Sequence, residues 1–149
     1  MLKEGDPAPE DIELLNQDGE LVKLTDYKGE KLVVYFYPKD NTPSCTTEAT
    51  NFRDSIKEYE DKGITIVGIS ADSVKSHKNF QTKYDLPFTL LSDPEKKAAK
   101  TFGAISQGKL KRRTWLINEN WVIEKAYEAV SPSKHNAELC TYYGIKLKS

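Results

Sequence analysis

The run Val33-Val34-Tyr35-Phe36-Tyr37, closed by Pro38, Asn41 and Pro43, constrains the fold more than any other stretch. Consecutive apolar, β-branched and aromatic residues leave no polar face, so the segment reads as a buried strand over residues 32–37. The prolines and Asn41 stop it. Cys45, Ala49, Phe52, Ile56 and Tyr59 then recur at spacings of 4, 3, 4 and 3, the apolar stripe of a helix predicted from near Cys45 to Gly63. Ile64-Thr65-Ile66-Val67-Gly68-Ile69-Ser70 follows as a second buried strand, which makes the unit a parallel pair with a crossover helix.

The flanking segments extend this pattern. Residues 12–16 and 21–24 read as a β-hairpin bent at Asp18-Gly19. Asp72 or Ser73 caps a helix running to about Tyr84, with Val74, His77, Phe80 and Tyr84 on one face. Residues 90–92 form a short strand, and Pro94 starts a helix over residues 95–102. Residues 113–117 and 122–127 form an antiparallel hairpin around Asn118-Glu119-Asn120-Trp121, and a closing helix over residues 133–143 ends at Gly144. The expected architecture is α/β: a central mixed sheet flanked by helices on both faces, with an N-terminal β-hairpin. With 149 residues and no linker or repeat, one domain over residues 1–149 is expected.

Several function classes are disfavoured. A net charge of −1, from 22 basic and 23 acidic residues spread along the chain, offers no field for nucleic acid or an anionic membrane. No apolar run approaches the ~20 residues that span a bilayer, and the N-terminus lacks the apolar segment of a secretory signal, so a cytoplasmic location is expected. Two histidines, His77 and His135, without a cysteine–histidine cluster make a metal site unexpected, and no cofactor is indicated. Tyr37, Phe52, Trp115 and Tyr127 fall at strand and helix periodicity, so they read as core and not as a nucleobase-stacking surface.

Cys45 is the residue with chemistry to offer. In the first turn of a helix it meets backbone N–H groups without carbonyl partners and the positive end of the helix dipole, both of which favour a thiolate. Thr42 offers a hydroxyl, and Pro43, with no N–H, stiffens the helix entry. Cys45 also sits at the end of the apolar stripe, where a small packed cysteine fits equally well. Position alone leaves these two readings level.

The segment Pro38-xxx-Thr42-xx-Cys45, with Glu48 and Asn51-Phe52-Arg53-Asp54 after it, resembles the active-site signature of the peroxiredoxins, and its flanks resemble the bacterioferritin comigratory protein (Q-type) subgroup. Gly5-Asp6-Pro7-Ala8-Pro9, residues 68–73 and Leu86-Pro87-Phe88-Thr89-Leu90-Leu91-Ser92-Asp93-Pro94 extend the likeness over nearly the whole chain. The resemblance implies a thioredoxin-like fold and a thiol-dependent peroxidase. Cys45 would attack hydrogen peroxide or an organic hydroperoxide and become a sulfenic acid. Thr42 and the Cys45 amide would hold the peroxide oxygens, and Pro38 would shield the pocket. Phe52 and Trp115 are candidates for its walls. The family's arginine falls on Arg112; Arg113, facing the opposite side of a strand, is the alternative one register step away. Glu48 could orient that arginine, or serve only as a favourable charge near a helix N-terminus.

Two departures from the subgroup bear on the fate of the oxidised thiol. Where the subgroup often carries a resolving cysteine five residues after the first, this chain has Thr50, which reads either as native or as a replacement. The alternative position on the next helix, within residues 79–83, has none either, and Gln81 occupies it. Ser44 stands where a glycine usually precedes the reactive cysteine, and is a candidate helix cap. Cys140 is the one other thiol, a resolving candidate that reads more simply as packed in the last helix. The economical expectation is a one-cysteine cycle reduced by thioredoxin, glutaredoxin or a low-molecular-weight thiol, in a monomer or weak homodimer. Other classes fit less well. A disulfide oxidoreductase wants Cys-x-x-Cys where Glu48 stands, and a copper-assembly factor wants sulfur where Ala49 stands. A non-catalytic or redox-sensing interaction protein on the same fold is the remaining alternative.

Overall fold

The computed structural model describes residues 1–147. In chain order it contains β1 (Glu13–Asn16), β2 (Leu21–Lys23), a 3-10 turn (Leu24–Tyr27), β3 (Lys31–Phe36), α1 (Pro43–Asp54), α2 (Ile56–Asp61), β4 (Ile64–Ser70), α3 (Val74–Tyr84), β5 (Thr89–Ser92), α4 (Lys97–Phe102), β6 (Ile105–Ser106), β7 (Lys109–Leu110), β8 (Arg113–Ile117), β9 (Ile123–Tyr127) and α5 (His135–Tyr143). Seven strands form one sheet in the order β2-β1-β5-β4-β3-β8-β9. β3, β4 and β5 run parallel, whereas β1/β2, β1/β5, β3/β8 and β8/β9 are antiparallel. The expected mixed sheet, its N-terminal hairpin at one edge and its β8–β9 hairpin at the other are all present.

β3 is central because every one of its residues after Lys31 is fully buried. Alternation along it divides the core in two. Leu32, Val34 and Phe36 join Trp115, Ile117 and the α4 residues Ala98, Ala99 and Phe102 on one face. Val33, Tyr35 and Tyr37 join Cys45, Ala49 and Phe52 of α1, Tyr59 of α2, Phe80 of α3 and Leu139 and Cys140 of α5 on the other. Both βαβ crossovers turn the same way, so α1, α2 and α3 share one face.

Two local expectations are corrected, one hairpin is added and one open choice of helix cap is resolved. The helix predicted from Cys45 to Gly63 begins earlier, at Pro43, and breaks at Ser55. Ser55 is buried, and its hydroxyl accepts a hydrogen bond from Asn136 Nδ2 at 3.0 Å, so a residue on α5 fixes a local break that no local pattern announces. The helix expected from Glu95 starts at Lys97: Lys96 is left-handed at φ 57°, and the Asp93 carboxylate reaches the Ala99 amide instead. The small β6–β7 hairpin, turning at Gln107-Gly108 with both at positive φ, is an addition. Ser73, and not Asp72, caps α3 by accepting from the Ser76 amide.

Candidate active site

Two antiparallel neighbours bring the site together. β3 ends at Phe36, and its chain continues through the loop of residues 37–42 into α1. β8 runs the other way, and Phe36 pairs with Arg113, so the start of β8 lies beside the end of β3. The first turn of α1 therefore faces the residue just before β8. That residue is Arg112.

Thr42 occupies the N-cap of α1 and Pro43 its first position; the Thr46 amide is bonded to the Thr42 carbonyl at 2.9 Å. Ser44 and Cys45 thus hold the first-turn amides that have no carbonyl one turn behind them within the helix. Thr42 makes no side-chain cap; its hydroxyl donates to the Lys39 carbonyl at 2.9 Å, which leaves the oxygen's lone pairs open. Ser44 is exposed and is not the cap, and it is absent from the residues with positive φ, so serine costs nothing there that glycine would save. Pro38 is exposed at the strand's end.

Cys45 is 2% exposed, its sulfur set at the end of the buried stripe of Ala49, Phe52 and Tyr59. The packed position does not isolate the sulfur, which accepts a hydrogen bond from Arg112 Nη2 at 3.2 Å. The other terminal nitrogen of Arg112 donates to Glu48 Oε1 at 2.7 Å, so one guanidinium bridges a thiol and a carboxylate one helical turn apart. Burial pushes Glu48 up to about 7, outweighing the opposing pull of Arg112. Its second oxygen, Oε2, is buried without a hydrogen-bond partner among the described residues. Burial works against the charge on Arg112 too, yet Glu48 and the contact with Cys45 raise it overall.

Strand alternation decides between the two arginines. Thr114 and Leu116 point to the Cys45 side, and Arg112 shares their face; Leu116 packs in the Cys45 cluster. Arg113 turns the other way and donates to the Gly103 carbonyl at 2.6 Å. Trp115 does the same, packing against Phe36 and Phe102 on the opposite face, so of the two candidate walls only Phe52 lies on the Cys45 side.

The other thiol, Cys140, is 1% exposed and engaged in a polar cluster, 3.5 Å from Tyr59 Oη and 3.7 Å from Asn136 Oδ1. Burial pushes its thiol up. Both cysteines are free. Thr50 donates back to the Thr46 carbonyl at 2.8 Å, and Gln81 donates to the Phe88 carbonyl at 3.3 Å.

Two buried polar pairs are not anticipated from the sequence. His135 stands between Thr114 Oγ1 at 2.8 Å and Glu138 Oε1 at 2.9 Å, its ring edge-on to Phe52 and Tyr127, and burial lowers its pKa against the pull of Glu138. His77 meets Asp40 at 2.7 Å within the same half of the core. A histidine placed on the buried stripe of an amphipathic helix is the available signal, since a fully buried ring needs partners for both nitrogens. A wide cavity of about 560 Å³, lined by Pro7, Ala8, Glu10, Lys28 and Trp121 among others, touches neither cysteine. A shallower depression of about 230 Å³, lined by Pro43, Ser44, Thr47, Pro132 and Ser133, adjoins the first turn of α1.

Known proteins share this chain's sequence pattern and fold. Residues 5–126 match the model of the AhpC/TSA family. The chain is 44% identical over 143 residues to "Peroxiredoxin Bcp" of Bacillus subtilis, covering 90% of each. Among solved structures, a cysteine-to-serine variant of Xylella fastidiosa PrxQ superposes with a TM-score of 0.91 at 31% identity, over 97% of this chain and 96% of that one. A Xanthomonas campestris bacterioferritin comigratory protein, described for its alkyl peroxide reduction activity, gives 0.87 at 31% identity over 95% and 97%.

Proposed function

Since the chain belongs to the AhpC/TSA family, in its bacterioferritin comigratory protein or peroxiredoxin Q branch, we propose that it is a thiol-dependent peroxidase built on Cys45 and completed by Arg112, Thr42 and Glu48. The observation that carries the assignment of residues is the guanidinium shared between the Cys45 sulfur and Glu48. The Cys45 thiolate attacks the terminal oxygen of the peroxide, the O–O bond breaks, and its electron pair leaves on the distal oxygen, which takes a proton to become water or an alcohol. Negative charge moves from sulfur to the departing oxygen during this step. Arg112 and the open amides of α1 are fixed donors at both ends of that path. The Thr42 oxygen, already committed as a donor to Lys39, accepts from the peroxide O–H. Pro38, at the strand's exposed end, covers the mouth, and the depression beside Pro43 and Pro132 receives the substituent of an organic hydroperoxide.

The oxidised product is a Cys45 sulfenic acid. An external thiol of the thioredoxin, glutaredoxin or low-molecular-weight class condenses with it, releasing water, and a second thiol then frees Cys45 as a disulfide leaves. What supports external reduction is the placement of Thr50 and Gln81 at the positions expected to resolve, together with the engagement of Cys140 by Tyr59 and Asn136. The balanced charge and the absence of a membrane-spanning helix among the described residues suit a small substrate in a reducing cytoplasm.

The test is peroxide consumption with excess dithiol. Cys45→Ser is expected to abolish turnover and Cys140→Ser to leave it largely intact, with no internal disulfide detected by mass after one equivalent of peroxide. Full activity in Cys45→Ser would end the assignment, and loss of activity in Cys140→Ser would end the one-cysteine cycle.

A further inference from the structure

The loop that delivers Cys45 is held from behind by a buried polar cluster that the peroxidase chemistry does not use. Asp40, 5% exposed, accepts from Tyr37 Oη at 2.6 Å through one carboxylate oxygen and from Ser76 Oγ at 2.8 Å through the other. That second oxygen also meets His77 Nδ1 at 2.7 Å. The Asp40 amide donates to Asp72, which Ser70 Oγ also reaches. His77 is fully buried, and its Nε2 lies 2.9 Å from the Leu91 carbonyl. A carbonyl only accepts, so Nε2 carries a hydrogen and points it at β5.

The ligand atoms of Asp40, Asp72 and His77 lie within 4.8 Å of one another, a spacing that would suit a cation. Their inward lone pairs are already taken by Tyr37, Ser76, Ser70 and the Asp40 amide, so the cluster reads as a closed hydrogen-bond network. Its reach is long. Through His77 and Ser76 it joins the loop to α3, and through Leu91 to β5, while Thr42, two residues past Asp40, is itself tied to the Lys39 carbonyl.

We propose that His77 and Asp40 are positioning residues of the peroxidase: their contact fixes residues 38–42 so that the Thr42 hydroxyl and the first-turn amides of α1 face the peroxide while Arg112 holds the sulfur from the opposite side. The inference rests on the peroxidase reading above. Reaction with a peroxide needs all those groups aligned with the sulfur at once, and a displacement of about 1 Å lowers such a rate on the order of 100-fold. Alkylation of the same sulfur needs no such alignment.

The experiment compares His77→Asn, His77→Gln and Asp40→Asn with the parent chain in three measurements: the single-turnover rate of Cys45 with peroxide, its rate with iodoacetamide, and the midpoint of thermal unfolding. Asparagine places its amide nitrogen near the position of Nδ1 and keeps a donor to Asp40; glutamine places its nitrogen near Nε2 and keeps only the bond to Leu91. His77→Gln and Asp40→Asn are expected to lose roughly 10- to 100-fold in peroxide rate, with alkylation within about threefold of the parent. His77→Asn is expected to recover most of the loss. Equal peroxide rates in all variants, whatever their unfolding midpoints, would overturn the proposal, as would equal losses in His77→Asn and His77→Gln. If the core variants fail to fold, Tyr37→Phe and Ser76→Ala each remove one hydroxyl from Asp40; a rate loss without a matching loss in alkylation supports the proposal, and no change in either overturns it. A parent chain inert to peroxide would overturn the peroxidase reading and this inference together, whereas an active parent with unaffected variants overturns this inference alone.

Discussion

Replacing Arg112 by methionine separates what the guanidinium does for folding from what it does for reaction. Methionine keeps the length of the stem and removes two charge-assisted contacts, 2.7 Å to Glu48 and 3.2 Å to Cys45. Glu48 is 1% exposed, and stripping the partner from a carboxylate so buried costs about 3–5 kcal/mol when it must stay ionised. That cost depends on pH in a definite direction. In the parent, Glu48 keeps its proton up to about 7, against 4.5 ordinarily, so the unfolded chain ionises first. The contribution of Glu48 to stability is then highest below 4.5, falls as the pH rises toward 7, and is flat above it, a loss of roughly 3 kcal/mol. Without Arg112 the one influence lowering Glu48 is gone, and the fall continues above 7. The variant should therefore lie close to the parent in denaturant midpoint at pH 5 and well below it at pH 8.5. Arg112→Met with Glu48→Gln should recover the midpoint at pH 8.5, because no buried carboxyl remains to ionise. The reaction behaves otherwise. Loss of a fixed donor to developing charge lowers the rate by about 100- to 1,000-fold, and the double variant should stay as slow as the single one. Stopped-flow oxidation of Cys45 at saturating folded fraction reads this directly. A single variant within about threefold of the parent would refute the role given to Arg112.

Three further outcomes are expected. Arg113→Met, which loses its bond to the Gly103 carbonyl, a longer one to the Glu128 carbonyl and a 3.8 Å ion pair with the exposed Glu128 carboxylate, should leave the peroxide rate unchanged while lowering urea stability by about 1 kcal/mol. Gly68→Ala would place a Cβ 2.9 Å from the Tyr35 ring and 3.0 Å from Leu90 Cδ2, in a core where Tyr35 is pinned by Tyr37, Phe52 and Phe88. Overpacking of about 1–3 kcal/mol should appear in the urea midpoint, and an unshifted midpoint would show that the ring can give way. Ser55→Ala should strand the Asn136 side-chain amide and lower the urea stability by about 1 kcal/mol.

The sequence discloses those parts of the molecule whose causes are local. Consecutive apolar residues in β3 and β4, the Asp18-Gly19 bend with Gly19 at φ 76°, and Gly144 at φ 73° each carry their conformation in their own neighbourhood. Alternation shows that Arg112 and Arg113 face opposite sides of the sheet, and the resemblance to the peroxiredoxin pattern favours Arg112. Other features have causes far away in the chain. The break at Ser55 depends on Asn136, 81 residues on, and the role of His77 depends on Asp40, 37 residues earlier. No periodicity or capping rule registers such a contact. Trp115 fails as a candidate pocket wall for a local reason instead: three residues along the strand from Arg112, the pleat turns it to the other face of the sheet.

Cys45 and Arg112 are 67 residues apart, and they meet only because β8 docks antiparallel against β3. A chain still being synthesised, with its first helix formed but its later strands unmade, has no guanidinium beside the sulfur of residue 45. On the peroxidase reading proposed above, full reactivity therefore waits for β8 to pair with β3, and an unfinished copy is a poorer target for oxidant than a folded one.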